Sequence, residues 1–426
     1  MKINTFNKKI YGLFTLIIIS ILFMMNGMQL SNMNKYSLIF AFLLNLSLVA
    51  ISWITNGFEL ITFILFCIIL LTVPITVQFF TGNSYGLLSM GIVQLYYADF
   101  LEYTFIYCSI FLGISIISNF KNNEEKLINL DTLNLISLNI IFNNLIAIIF
   151  TIVAFPRLTF QVMGTERFDM LLPGHAWNQL AIVALLFNLK YLKERTSVKL
   201  AYIFVICWFL LNGERADITG LVLGLFVYFL IRNKKNIEKM SHLKNILAVV
   251  CLIAFLLLLN LIINIRNGEK ISLSQNLKTL ITTPTISDVS YIFNVVIAYS
   301  KSFSKLNGSL FLTNIFSIIP LYNNDLFGTL MSSVYPYPGG EPWLAQPLLD
   351  WGKIGLIFSP IIDLCLLKVI TLKDNRFFKM EYLAFLCLVP RAVWYGRSYT
   401  FTTLIFFVPI MYLINKLIIS FNSNLD

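Results

Sequence analysis

Charge is what this 426-residue sequence lacks most. Asp, Glu, Lys and Arg make up 12% of it, about half the roughly 25% of a soluble domain. That excludes an ordinary soluble enzyme, a disordered chain and a soluble nucleic-acid binder. Histidine is rarer still, with two in the chain. The six cysteines, Cys67, Cys108, Cys207, Cys251, Cys365 and Cys387, all lie inside apolar runs and form no CxxC or Cys/His pair. Neither a zinc framework nor a disulfide scaffold is expected from that spacing. H-E-x-x-H, a Walker A loop, a nucleophile elbow and the dinucleotide fingerprint are missing, as is an Asp-rich metal motif. The expectation is chemistry without a metal or cofactor.

What the sequence has is apolar length. Hydrophobic residues are 58% of the chain, and they gather in runs of about 20 residues, the length that crosses a bilayer as a helix. A β-barrel would alternate over strands of about 10 residues instead. The predicted fold class is therefore an all-α polytopic integral membrane protein. Hydropathy places about twelve transmembrane helices, over 10–26, 36–54, 58–80, 100–118, 133–155, 176–190, 198–212, 218–231, 245–265, 351–370, 382–396 and 400–420. The first is basic, then apolar, with no small-x-small cleavage site after it, so it reads as a retained span. With both termini in the cytoplasm, Lys and Arg crowd into inside loops such as KYLKER and RNKKNIEK, as the positive-inside rule requires. The net charge of +10 is then a matter of topology. Residues 1–426 form a single membrane domain. Two outer loops stand out, 156–175 and a long one over 266–350 between helices 9 and 10. The long loop holds apolar pieces, SYIFNVVIAY and LFLTNIFSIIPLY, too short to span and suited to interfacial or re-entrant helices.

The spans are poor in ionisable groups, and charge collects at their outer ends. GERAD (213–217) packs Glu214, Arg215 and Asp217 into a tight boundary between two apolar runs. Arg215 there either pairs with its neighbours or faces a cavity and holds an anion; a guanidinium meets a phosphate through two parallel hydrogen bonds. VPRAVWYGRSYT (389–400) repeats the pattern, with Pro390 expected to break the eleventh span and turn Arg391 inward, and Arg397 six residues on. Trp394 and Tyr395 lie between them. TERFDMLLPGH (165–175) supplies Glu166, Arg167, Asp169 and His175. Asp169 is the first-ranked base and His175 the second; Arg167 favours the ionised carboxylate while an apolar cover raises its pKa. YPYPGGEPWLAQPLLDWGKIG (335–355) adds a further acid, Glu341, with Trp343 as a face for a sugar ring. Arg157 opens the first outer loop.

Taken together, these features resemble the Wzy class of bacterial O-antigen and capsule polymerases. The layout of about twelve spans and a late outer loop covers the whole chain. GERADITGLVLGLFVYFLI resembles the family's Gly-x-Arg segment before an apolar helix, and YPGGEPWLAQPLLDWGKIGLI its Gly-Gly segment before a helix. In the second, Gln346 or Asp350 stands where the family often has Glu. The resemblance implies a glycosyltransferase in the bacterial plasma (inner) membrane that joins repeat units carried on undecaprenyl diphosphate. A hydroxyl of one unit attacks the anomeric carbon of another, and the lipid diphosphate leaves. Asp169, His175 and Glu341 are then the candidates for catalysis. Arg157, Arg167, Arg215, Arg391 and Arg397 are those for the diphosphate, and Trp343, Trp394 and Tyr395 those for the sugar. Implied partners are the lipid-linked glycan, the bilayer, a chain-length regulator and a flippase. Two alternatives remain: an O-antigen ligase, which has the same layout, and a lipid-linked oligosaccharide flippase, which is expected to show an internal duplication and a charged central cavity.

Overall fold

The computed structural model describes residues 5–30, 34–57, 59–82, 86–118, 127, 130, 135–157, 177–212, 214–232, 284–319, 325–337, 339–371 and 373–423. Regular structure among the described residues is helical throughout. The helices are α1 (Thr5–Leu30), α2 (Lys35–Asn56), α3 (Leu60–Leu70), α4 (Thr72–Thr81), α5 (Tyr97–Ile117), α6 (Ser137–Ala154), α7 (Trp177–Phe187), α8 (Thr196–Leu211) and α9 (Arg215–Arg232). After them come α10 (Pro284–Ser302), α11 (Ser309–Phe316), α12 (Leu326–Ser332), α13 (Ala345–Trp351), α14 (Lys353–Thr371), α15 (Arg376–Tyr395), α16 (Arg397–Phe401) and α17 (Val408–Ser423). Seven segments among the described residues are long and apolar enough to cross a membrane: Lys9–Gly27, Lys35–Asn56, Leu60–Met90, Tyr97–Ile117, Ser137–Ala154, Lys353–Thr371 and Arg397–Asn422. The chain is thus a multi-pass membrane protein.

The faces of these helices are sorted as a bilayer demands, apolar outward and polar inward. On α6, Leu138, Ile141, Leu145, Ile149 and Ile152 are exposed, while Asn139, Asn143, Asn144, Ala147 and Thr151 are buried. The buried asparagines join Asn188 and Asn415 in a ladder. Asn139 and Asn143 donate to Asn415 Oδ1 at 3.0 and 3.1 Å, Asn415 donates to Asn143 Oδ1 at 3.0 Å, and Asn188 donates to Asn144 Oδ1 at 2.9 Å. Lipid cannot satisfy an amide, so each finds its partner on a neighbouring helix.

Three details depart from the hydropathy reading. The third span is broken at Leu71, where Pro74 begins the second piece without an N–H to give. The SYIFNVVIAY piece of the late loop belongs to α10, a 19-residue helix whose Val289, Tyr291, Ile292, Phe293, Val295 and Val296 are buried. And Pro390 does not break the eleventh span: α15 runs through it to Tyr395. What carries α15 past that point is α9. Gly220 and Gly224, one turn apart, lie directly on the Cys387 backbone, where any Cβ would collide. This small-xxx-small face lets two backbones meet, as in membrane helix pairs generally. The short sixth span is α7, 11 residues long and buried from Asn178 to Phe187. The ninth span, 245–265, lies outside the described residues, as does most of the 156–175 loop.

Helices α5 and α14 lie side by side and run parallel. Lys353 Nζ meets Glu102 Oε1 at 2.7 Å near their starts, and Tyr107 Oη donates to Asp363 Oδ2 at 2.6 Å further along both helices.

Candidate active site

Two arginines, both on or beside α15, organise the polar interior. Arg391 sits one turn before the end of α15. The close α9–α15 crossing brings the start of α9 over it, so that Arg391 Nη1 lies 2.5 Å from Glu214 Oε1 and 3.5 Å from Asp217 Oδ2. Asn178 and Gln179, at the start of α7, both donate to the Asp217 carboxylate. The guanidinium carbon stands over the rings of Tyr395 at 4.8 Å and Tyr399 at 4.3 Å, contacts that add to the attraction of a desolvated cation. Arg391 is 9% exposed, yet its Nε–H has no partner among the described residues. A buried donor of this kind costs free energy until something accepts from it.

Arg397 opens α16, beyond the Gly396 turn. Its fork grips Asp363 two-handed, Nη1 to Oδ1 at 2.7 Å and Nη2 to Oδ2 at 2.9 Å, while Nη2 also reaches Ser359 Oγ at 2.7 Å and Nε the Trp343 carbonyl at 3.3 Å. All three guanidinium nitrogens are therefore engaged by the protein. The same carboxylate accepts from Tyr107 and, at 3.1 Å, from Trp343 Nε1. The Trp343 ring lies under Arg397 at 4.5 Å. A bidentate, fully hydrogen-bonded pair is the form in which a buried ion pair is best tolerated.

The Gly339–Trp343 segment threads between the two arginines. Gly339 and Gly340 have φ +98° and +96°, a region that favours glycine. A Cβ on Gly340 would come within 2.9 Å of the Tyr395 ring. The segment is clamped by Trp343 N–H donating to the Val393 carbonyl at 2.9 Å and by Tyr337 Oη donating to the Gly340 carbonyl at 3.1 Å. Glu341 is held beside the Gly396 turn, buried, and accepts from Asn314 Nδ2 at 3.0 Å. Burial pushes its carboxyl up to about 7; the Asn314 hydrogen bond and Arg397 oppose the rise, and Asp325 and Asp350 add to it. Asn314 is in place because Asp350 caps α11, accepting from the N–H groups of Leu310 and Phe311 at 3.1 and 2.8 Å. Asp350, with Gln346 donating to it at 2.8 Å, is thus a positioning residue.

The structure brings together Glu341, Arg391, Arg397, Trp343, Trp394 and Tyr395 from the sequence-predicted set. Trp394 is buried and donates to the Cys67 carbonyl at 3.3 Å, and Tyr395 is half-buried. Arg157 is exposed at the end of α6 and shares no hydrogen bond or ion pair with either arginine. Arg215 begins α9. Glu166, Arg167, Asp169 and His175 lie outside the described residues. Sequence reasoning missed Asp363, Ser359, Tyr107, Asn314, Asn178 and Gln179. The signal for Asp363 was there: an acid inside an otherwise apolar span, the usual mark of a functional centre.

Beside the Arg397–Asp363 pair opens a cavity of about 380 Å³, lined mainly by apolar side chains that include Trp343, Phe385, Phe401 and Leu404. The arrangement offers an acid-base group, a guanidinium with a spare donor and an apolar cleft. Among the described residues, no three His, Cys, Asp or Glu side chains converge as metal ligands.

Residues 175–338 match the family model described as O-antigen polysaccharide polymerase Wzy. The matched stretch contains α7, α9, α10 and Asn314, and so supplies much of the shell around Arg391 and Glu341. No curated protein and no solved structure matches the chain.

Proposed function

We propose that this Wzy-class chain polymerises oligosaccharide repeat units carried on undecaprenyl diphosphate, at the outer leaflet of the bacterial plasma membrane. The observation that carries this reading is a buried carboxyl with a raised pKa beside the Gly396 turn and, on the helix that ends at that turn, a buried arginine with an unused donor, in a chain whose middle matches the polymerase family.

In the proposed reaction the hydroxyl of an incoming repeat unit attacks the anomeric carbon that joins the growing chain to its lipid diphosphate. Glu341 accepts the hydroxyl proton as the C–O bond forms, and the anomeric C–O bond to the diphosphate breaks with its electron pair going to the diphosphate. Arg391 Nε–H donates to the departing group, where charge accumulates. Arg397 plays a different part from the one its sequence position suggests. With Asp363 it fixes the Trp343 segment, and its charge favours ionised Glu341. Tyr395, the least buried of the three aromatics, is the face for a sugar; Trp343 and Trp394 are buried and hold the surrounding segments, Trp343 against Arg397 and Asp363 and Trp394 on the Cys67 carbonyl. Arg157, Arg167 and Arg215 extend the cationic approach for the diphosphate, and Asp169 and His175 are the competing bases. A flippase supplies the substrate, and a chain-length regulator sets when it stops.

The test is reconstitution. Purified protein in liposomes with undecaprenyl-diphosphate-linked repeat units should yield a ladder of lipid-linked polymers. Transfer of glycan only to an added lipid-core acceptor would identify a ligase, and movement of substrate between leaflets without any new glycosidic bond a flippase. With arginines in place of a metal, the ladder should persist in excess EDTA; a strict need for added Mg²⁺ or Mn²⁺ would remove the arginine mechanism.

A further inference from the structure

The apolar cleft beside the Arg397–Asp363 pair holds an acid that the proposed reaction leaves unused. Its walls are α14, α15 and the α16–α17 segment, which contribute Leu367, Phe385 and Leu404 among others. Leu366, Val369 and Ile405 also line it, and they are exposed on the outside of the protein at 44%, 52% and 52%. The cleft therefore opens sideways, where the chain meets lipid. The wall between α16 and α17 is a π-helix over Thr402–Phe407. Pro409, which follows it and lines the cleft, has no N–H to return to that turn. Bulges of this kind are frequent at functional sites.

The unused acid is Glu381, on α15. It is 4% exposed and has neither a hydrogen bond nor an ion pair among the described residues. Lys379, two positions earlier, is drawn to Asp374 at 3.0 Å instead. Asp363, the other acid of the cleft, is answered by Arg397. A buried carboxyl without a partner costs free energy until a cation or a proton meets it. The rim has the opposite sign. Lys368 in the last turn of α14, Lys373 in the connection and Arg376 at the start of α15 are all exposed. None of the three makes an ion pair among the described residues. They stand at the end of α15 that carries Glu381, away from the end that carries Arg391.

We propose that this cleft seats a membrane lipid with a primary ammonium headgroup, phosphatidylethanolamine. One acyl chain lies in the cleft, the ammonium meets Glu381, and the phosphate faces the rim of Lys368, Lys373 and Arg376. Each part of the lipid finds its complement. A primary ammonium brings three N–H donors to a carboxylate. A choline headgroup has no N–H to give, and a glycerol headgroup has no positive charge. A lipid phosphate suits exposed lysines and arginines at the membrane surface. A lipid diphosphate is the poorest match, since a like charge beside a buried carboxylate is repelled. The binding does not rest on the polymerase reading.

The experiment is native mass spectrometry of the full chain, stripped of lipid in detergent and titrated with one dioleoyl lipid at a time. The first equivalent of phosphatidylethanolamine should bind about tenfold more tightly than phosphatidylcholine or phosphatidylglycerol. Stepwise N-methylation of the ethanolamine should erase that difference. Glu381→Gln should bring phosphatidylethanolamine down to the level of phosphatidylcholine. Lys368→Gln/Lys373→Gln/Arg376→Gln should weaken both and keep their ratio. Leu404→Trp, which fills the cleft and leaves every charge, should remove the preferred equivalent. Equal binding of the ethanolamine and choline lipids by the wild type overturns the proposal without recourse to any variant: Glu381 then simply carries a proton. A preference that survives in Glu381→Gln overturns it as well. So does displacement of phosphatidylethanolamine by an equal concentration of undecaprenyl phosphate, which would make the cleft a seat for the tail of the proposed substrate. A protein that shows the preference and makes no polymer would sink the polymerase reading and leave this site standing.

Discussion

Glu341 combines two properties seldom found together in a membrane protein, burial and a place outside the spans. Its carboxyl, raised to about 7 by burial, is protonated below that pH and able to take a proton above it. If it is the base, the rate should rise with pH along a limb centred near 7 and fall as pH drops through it, because the reactive form is the ionised one. Glu341→Gln should flatten that limb and lower turnover by about 10²–10⁴-fold, with substrate binding largely kept. Measuring initial rates of ladder formation from pH 5.5 to 8.5 checks both. A wild-type limb near 6.5 that vanishes in His175→Ala would move the role to the histidine. Arg391 calls for a different substitution. Its removal takes the cation from beside Glu214 and the buried Asp217, a loss that is generally severe for a buried pair. Arg391→Lys keeps the charge but not the fork or the Nε donor. It should insert normally and lose about 10²-fold in turnover; undiminished turnover would take Arg391 out of the reaction.

How much of this was legible in the sequence depends on the residue. Glu341, Arg391 and Arg397 were visible because charge is scarce and theirs falls at the edges of apolar runs. Asp363 was hidden because hydropathy averages it away: one acid in LIFSPIIDLCLL barely lowers the window. Its partners are distant in the chain, Tyr107 by 256 positions and Arg397 by 34, and no local pattern joins them. Nor could spacing reveal that Arg397 is fully engaged by Asp363, Ser359 and Trp343 while Arg391 keeps a donor free. That division follows from where α9 and α14 pack against α15.

At the scale of elements, helix α9 shows how a motif read for its charges works through its glycines. Glu214 and Asp217 reach Arg391 because Gly220 and Gly224 allow α9 onto the Cys387 backbone. Gly220→Leu or Gly224→Leu should push the helices apart and abolish polymer while leaving Glu341 and both arginines in the chain. Unfolding in detergent, followed by the fluorescence-detected size-exclusion profile against temperature, should show the melting point fall by several degrees. An unchanged profile with full activity would mean that the contact does not position the site. The late loop is the element least readable from hydropathy. α10 carries Ser287, Asp288, Ser290 and Asn294 among its apolar residues, which keeps its hydropathy below that of a span. In the fold the last three answer backbone atoms of the 86–96 segment and Leu71: Asp288 accepts from Leu87 N–H at 3.2 Å, Asn294 accepts from Tyr96 N–H at 2.8 Å, and Ser290 donates to the Leu71 carbonyl at 2.8 Å. Polar residues that weaken the signal of a span are here what fastens the helix inside the body.

For the whole molecule the expectation to settle is topology. Seven described segments satisfy length and apolarity, and the proposed count of twelve adds α7, α8, α9, α15 and the run over 245–265. Helix α7 is too short to cross about 30 Å of hydrocarbon on its own. It is tolerated because the protein surrounds it, and its first residues, Asn178 and Gln179, end on Asp217. Helix α15 is buried from Lys379 to Trp394, so in the twelve-span proposal it is an inner helix that meets protein in place of lipid. An even count with both termini inside puts the starts of α5, α9 and α14 and the end of α15 on one face, the outer one, together with the arginine centre. Single cysteines on a background without native Cys report this directly. Positions 195 and 239 should be shielded from an impermeant thiol reagent in intact cells, and positions 167 and 275 labelled. Labelling of 239 from outside would invert the second half of the chain. The arginine centre would then face the cytoplasm, where a lipid-linked unit awaiting polymerisation at the outer leaflet cannot reach it.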